Sequence, residues 1–259
     1  EYDQLLPTHY VIEPFHGRGA LLHGGMSPAE ATYAKGEIVS LGKFAQLRAH
    51  PDGRSLSLQG EVAPGQPPLR VRWLGRSDPN GSSGRIVATR WTILHDVVEN
   101  FERFQLPDPL ARLADTLDQT VSGTQSTIHG DLNLENTLVG PGDFVWLIDF
   151  ANTREGHPLF DFARLQAEII AHIITTRLDS AQVYLELLRD GPNSRFPELW
   201  ALIEMVQTIA WRCLFNSAER REFDQVAYLA CLGALKFTNL GAKQKHFLYL
   251  TAAHYCQKL

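Results

Sequence analysis

Cysteine is scarce: three thiols in 259 residues, odd in number and without metal-site spacing, exclude a disulfide framework or a zinc knuckle. Cys213, Cys231 and Cys256 fall within helical patterns, so buried free thiols in a reducing compartment are expected. Long apolar runs are missing as well. The longest, 167–174, is broken by Glu168 and His172 and falls far short of the roughly 20 residues a membrane helix needs, so no span is expected. The opening Glu1-Tyr2-Asp3-Gln4 lacks the basic and apolar regions of a secretory signal, and no Met precedes it, so the chain reads as part of a longer cytoplasmic protein. There is no basic excess either: 24 Lys+Arg against 29 Asp+Glu give a net charge of -5, which argues against wholesale nucleic-acid binding. Lysine is rare in the front of the chain, where Lys35 and Lys43 are the only two before residue 236.

What is present divides the sequence into unequal parts. Twelve of the 20 Gly and eight of the 14 Pro precede residue 91, so the front is rich in turns and the back is free to form helices. Strands are expected over 37–47, 54–62, 69–74 and 85–94, with alternation clearest in Leu69-Arg70-Val71-Arg72-Trp73. Turn clusters at Pro51-Asp52-Gly53, 64–68 and Asp78-Pro79-Asn80-Gly81 separate them, the spacing expected of a small antiparallel barrel of the OB type. Segment 1–35 reads as a connecting piece, with one helix start at Ser27-Pro28. Beyond Asp96 the period turns helical: Val97, Val98, Phe101 and Phe104 form one stripe, and Leu110, Leu113, Leu117 and Val121 another. A β-rich island at 126–150 follows, then helices over 158–178, 180–189, 197–215, 223–237 and 243–257. The expected class is therefore α+β, with a connecting segment 1–35, a small β-barrel insert 36–94 and a mostly helical domain 95–259.

The island carries the chemistry. It reads Thr127-Ile128-His129-Gly130-Asp131-Leu132-Asn133-Leu134-Glu135-Asn136, then an apolar strand, a Gly140-Pro141-Gly142-Asp143 turn, and Phe144-Val145-Trp146-Leu147-Ile148-Asp149-Phe150. A hairpin brings Asn136, at the entrance of one strand, to the same end as Asp149, at the exit of the other, beside Asp131. Two carboxylates and an amide at one hairpin end make a hard-oxygen site suited to Mg2+ together with phosphates and water.

These residues resemble the catalytic core of kinase-like phosphotransferases, specifically the aminoglycoside phosphotransferase and choline kinase group. There the catalytic loop is His-Gly-Asp with an Asn further on, matched by His129-Gly130-Asp131 and Asn136, and a later Ile-Asp-Phe/Trp is matched by Ile148-Asp149-Phe150. The resemblance extends to Asp161 in Pro158-Leu159-Phe160-Asp161-Phe162-Ala163 and covers roughly residues 95–259, which it makes a protein-kinase-like C-lobe. It implies that Asp131 is the catalytic base, that Asn136 and Asp149 bind Mg2+ on ATP, and that His129 and Asp161 support the loop. As a lone residue His129 is more simply a structural histidine, Asp161 an N-cap and brace, and Asn133 and Glu135 loop-stabilising or solvated. The implied activity is transfer of phosphate from ATP to a small-molecule or protein hydroxyl, which makes the chain an enzyme. The acceptor is not readable, since Glu168, Glu204 and Glu219 suit a cationic substrate and a solvated helix face equally.

The front of the chain departs from that pattern. Gly17-Arg18-Gly19 and Gly24-Gly25 lack the strand-borne Lys of an N-lobe, so the expected partner is an N-lobe upstream of Glu1 or another protein. Bacterial ternary-complex-associated domains of signalling and conflict systems look similar here, in Leu5-Leu6-Pro7, Thr89-Arg90 and the His-Gly-Asp that follows. This keeps a second reading open, a pseudokinase-like nucleotide- or partner-binding module in a bacterial signalling or defence assembly. A third reading has His129, Asp131 and Asp149 holding a transition metal of a hydrolase. Segment 36–93 carries eight Lys+Arg against four acids with Phe44, Trp73 and Trp91 interleaved; this fits a single-strand nucleic-acid surface, but a wet sheet face over an aromatic core is the simpler reading.

Overall fold

The computed structural model describes residues 6–12, 38–40, 47–49, 55–58, 70–78, 81–88, 90–113, 116, 121–235, 237 and 239–259. The expected helix start at Ser27-Pro28 and the glycine pairs of 17–25 lie outside these residues. The architecture is mixed α+β, mostly helical, with small antiparallel sheets. The chain forms two compact units, one of Pro14–Asn100 and the other of Glu1–Glu13 together with Phe101–Leu259.

The Pro14–Asn100 unit contains β2 (Ile38–Ser40), β3 (Leu47–Ala49), β4 (Ser55–Leu58), β5 (Arg70–Asp78), β6 (Gly81–Ala88) and helix α1 (Arg90–Val98). Its strands form one antiparallel sheet in the order β2-β6-β5-β4-β3. The expected OB-like barrel is not formed, because among the described residues the sheet has two ends, β2 and β3, and no pairing joins them. Both end strands have three residues, whereas the central β5 and β6 have nine and eight; end strands that short offer few hydrogen bonds with which to close a cylinder. Asp78 pairs with Gly81, so β5 and β6 meet at an expected turn cluster. The expected strand through Leu94 stops at Ala88, and Trp91 to Leu94 are helical. The stripe from Val97 to Phe104 does not extend that helix, which ends at Val98, and Phe104 and Gln105 take left-handed φ of 48° and 69°.

In the other unit, β1 (Leu6–Ile12) pairs with β7 (Val121–Ile128), and β7 pairs with β10 (Arg154–Gly156), giving a three-stranded antiparallel sheet with β7 in the middle. A separate ribbon joins β8 (Thr137–Val139) to β9 (Val145–Leu147), with Thr137 opposite Leu147 and Val139 opposite Val145. Five helices follow: α2 (Leu159–Ile169), α3 (Ala181–Asp190), α4 (Pro197–Ala210), α5 (Arg221–Ala234) and α6 (Ala242–Cys256). Ser180 caps α3 by accepting from Val183 N, and Pro197 occupies the first turn of α4, where its missing N–H has no intrahelical partner to lose. Helix α5 is buried along nearly its whole length. Several polar groups inside the bundle pair with one another. Tyr255 Oη accepts from Gln166 Nε2 at 2.8 Å and Gln207 Nε2 at 2.9 Å, and Tyr184 stacks on Phe247 while its hydroxyl bonds Thr251 at 2.6 Å. The three cysteines are free and buried, as expected.

After α2 the helix widens into a π-turn, Ile170–Ile174, before a last α-turn at Thr175–Arg177. Thr175 N reaches back to Ile170 O, so Ala171 O loses its usual helical donor. Thr175 Oγ1 and, from α6, Gln244 Nε2 at 2.9 Å donate to it instead.

A buried pair fixes β7 against the helices. His157 Nδ1 accepts from Leu159 N, so Nε2 carries the proton and donates to Glu222 Oε1 at 2.6 Å, while Glu222 Oε2 accepts from Phe215 N at 2.9 Å. Gly123 of β7 lies beneath them, and a Cβ there would stand 2.4 Å from His157 Nε2.

Candidate functional site

The loop leaving β7 is built by its own polar side chains. Asp131 O accepts from Asn133 Nδ2 at 3.2 Å and Asn136 Nδ2 at 2.9 Å, Asn133 Oδ1 accepts from Asn136 N at 2.9 Å, and Thr137 Oγ1 donates to Asn133 O at 3.0 Å. These bonds hold the turn between Asp131 and β8 without any regular ladder. They spend the Asn136 amide nitrogen on the loop and leave Oδ1 without a hydrogen bond among the described residues. Asn133 is thus a loop-former, and Glu135 is solvent-exposed.

Asp161, in the first turn of α2, braces the start of this loop by accepting from His129 N at 2.7 Å and Gly130 N at 2.9 Å, one bond per carboxylate oxygen. Burial nevertheless pushes its carboxyl above the usual aspartate value of 3.8. Gly130 has φ +81, and a Cβ there would lie 2.2 Å from Asn152 O and 2.4 Å from Arg154 Nη1, so only glycine fits.

The other half of the site is the exit of β9. His129 Nε2 donates to Ile148 O at 2.8 Å, and the imidazole tilts against Phe150 with ring centroids 5.1 Å apart. Ile148 N donates to Asn136 O at 3.1 Å. Asp149, next in the chain, is exposed and left-handed, with φ 59 and ψ 64. A non-glycine residue in that conformation is uncommon and concentrates where a side chain must be aimed. The hairpin register therefore places Asn136 opposite Ile148, one residue before Asp149, while one hydrogen bond ties Asn136 to Asp131.

The arrangement that would let His129, Asp131 and Asp149 hold a transition metal is not met. His129 Nε2 is spent on a carbonyl, and Nδ1 is buried with no hydrogen-bond partner among the described residues. Among the described residues no group of three or more His, Cys, Asp and Glu side chains is suited to a metal. The donors that do fit a cation, an amide oxygen and a carboxylate, suit a hard ion completed by phosphate oxygens and water.

Two cations flank the loop that sequence reasoning passed over. Arg154 Nη1 donates to Asn152 O at 2.9 Å beside Gly130. Arg164 Nε lies 3.8 Å from Asp131 Oδ1 and Arg164 Nη2 2.9 Å from Glu168 Oε1. The signal for Arg164 was its spacing: Asp161, Arg164, Glu168 and His172 recur at steps of three and four, one polar line along a helix. Around these groups the ribbon is apolar and exposed, with Leu138, Val139, Phe144, Val145, Trp146, Leu147, Ile148 and Phe150 all open to solvent.

A sequence profile of ternary complex associated domain 9 matches residues 39–221, well over half of the chain. The chain belongs to that family. No curated protein matches it in a sequence search. The ternary complex associated domain 9 match takes in the whole loop from His129 to Asn136, Asp149, Asp161 and Arg164, and leaves α6 and most of α5 beyond its end. No helix among the described residues is long and apolar enough to cross a membrane.

Proposed function

We propose that this domain is a kinase-like phosphotransferase lobe that uses ATP and Mg2+. The observation that carries the reading is the hydrogen-bonded link from Asp131 through Asn136 to Ile148 N, with Asp149 held left-handed just beyond it. In this reading Asn136 Oδ1 and the Asp149 carboxylate hold Mg2+, whose charge neutralises the phosphate oxygens. Asp131 orients the acceptor hydroxyl and takes its proton as the hydroxyl oxygen bonds to the γ-phosphorus and the bond to the ADP oxygen breaks. His129 and Asp161 keep the loop in place and touch no substrate. The exposed apolar ribbon beside this polar cluster supplies the other surface a nucleotide needs, a face for its flat base.

A thermal-shift titration tests this. Mg2+ and ATP together should raise the melting temperature, each alone should not, and Asp149→Ala should abolish the shift, since ligand bound to the native state stabilises it. With an acceptor in hand, Asp131→Ala should end phosphate transfer and spare nucleotide affinity; an equally active variant would remove Asp131 from the mechanism.

The same apolar ribbon, together with the family name's reference to a ternary complex, favours a second reading in which the lobe binds nucleotide or a partner protein in a signalling or defence assembly without transferring phosphate. A nucleotide-dependent thermal shift in a protein that transfers no phosphate to any of a broad acceptor panel would select it.

A further inference from the structure

Arg164 lies one helical turn beyond Asp161, on the side of α2 that faces the loop. Its guanidinium is set by two groups other than Asp131. Glu168 pairs with Nη2 at 2.9 Å, and the Phe237 ring lies under the guanidinium carbon, 4.6 Å from carbon to ring centroid. Glu168 is itself flanked by His172 Nε2 at 3.3 Å, on the π-turn. The approach to Asp131, 3.8 Å from Nε to Oδ1, is an ion pair but too long for a hydrogen bond. Asp131 therefore keeps its acceptor lone pairs, and Arg164 keeps donors beside it with no protein acceptor among the described residues. The Arg164 side chain is 21% exposed, packed along most of its length and open at the remainder. An arginine fixed from behind, with unspent planar donors next to a carboxylate that handles a hydroxyl, is suited to a tetrahedral oxyanion.

We propose that Arg164 binds an oxygen of the terminal phosphate that a nucleotide presents to Asp131. The proposal rests on the reading of this site as a Mg2+–nucleotide centre. It assigns the γ-phosphate contact to a helix that follows the catalytic loop.

Calorimetric titration of the whole chain with Mg2+ and the non-hydrolysable β,γ-imido analogue of ATP, and separately with Mg2+ and ADP, tests both. The variants are Arg164→Gln, Arg164→Lys and Asp149→Ala, each checked by far-UV circular dichroism. Arg164→Gln should weaken the triphosphate at least about tenfold, the scale of a hydrogen bond to a charged group, and change ADP by less than about twofold. Arg164→Lys keeps the charge without the planar fork and should recover part of the loss; it decides the matter on the same comparison if Arg164→Gln does not fold. Equal losses for the two nucleotides, or none for either, alongside a wild type whose binding Asp149→Ala abolishes, overturn the role of Arg164 and leave the nucleotide reading standing. A wild type that binds neither nucleotide with Mg2+, or an Asp149→Ala variant that binds as the parent does, overturns the reading and the role together.

Discussion

Asp149 separates what the backbone wants from what the site wants. Its left-handed φ of 59 suits glycine, which has no Cβ to crowd the carbonyl. Asp149→Gly is therefore expected to keep stability within about 1 kcal/mol of the parent, whereas β-branched Asp149→Val should lose about 1–2 kcal/mol. Both should lose the metal–nucleotide shift, and melts with and without ligand check each part. Asp161 has the opposite character, its two carboxylate oxygens being taken up by backbone N–H groups. Asp161→Asn leaves one side-chain oxygen for the two N–H groups of His129 and Gly130, so one buried donor goes unpaired, at about 1–3 kcal/mol. The same substitution removes a pH dependence. An acid raised in the native state holds a proton that the unfolded chain has released, so its contribution to stability falls as pH climbs above 3.8 through the native value. Urea midpoints from pH 3 upward should show that decline in the parent and not in Asp161→Asn.

Among the elements, the five helices from Leu159 to Cys256 were legible because their apolar positions recur with the helical period and are marked by Ser180 and Pro197 at two of their starts. Strand β7 was not legible over most of its length. It reads Val-Ser-Gly-Thr-Gln-Ser-Thr-Ile, small and polar in its middle, and its place is set by tertiary partners: Thr124 donates to Cys213 O at 2.7 Å and Gly123 packs beneath His157 and Glu222. Trp91 to Leu94 misled for the converse reason, since aromatic and β-branched residues suit strands on average but yield to context. The π-turn at Ile170–Ile174 was not anticipated from the sequence. It does make a prediction. Gln244 both supports Ala171 O and caps its own helix by accepting from Gly241 N at 2.7 Å, so Gln244→Ala should cost about 1–3 kcal/mol in denaturant unfolding, far more than an ordinary partly exposed glutamine. A change below about 0.5 kcal/mol would show that the widened turn needs no outside donor.

For the whole molecule, the site was more legible than the fold around it. His129, Asp131, Asn136, Asp149 and Asp161 sit in three short segments whose spacing can be read directly, whereas the polar spacing that marks Arg164 gains its meaning only once α2 is folded against the loop. Acid stability belongs to this scale too. Burial, aided by Lys258, pulls His254 down from 6.5 to about 4. An imidazole depressed in the native state must give up stability as pH falls from 6.5 toward 4, because the unfolded chain takes up the proton first. The loss should be on the order of 2–3 kcal/mol and should shrink in His254→Gln, read from urea midpoints at pH 7 and 4.5. The nesting of the two units bears on how the chain is made. Ile12 and Val121, paired in the β1–β7 ladder, are 109 residues apart, and the whole Pro14–Asn100 unit lies between them. At the usual pace of roughly 5–20 residues per second a ribosome needs about 5–20 s to deliver β7 after β1. In that interval the Pro14–Asn100 segment, continuous in sequence, is made before β1 has β7 to pair with. Synthesis therefore completes the Pro14–Asn100 segment before β1 and β7 can pair, and a chaperone that binds extended strands would find its target in β1.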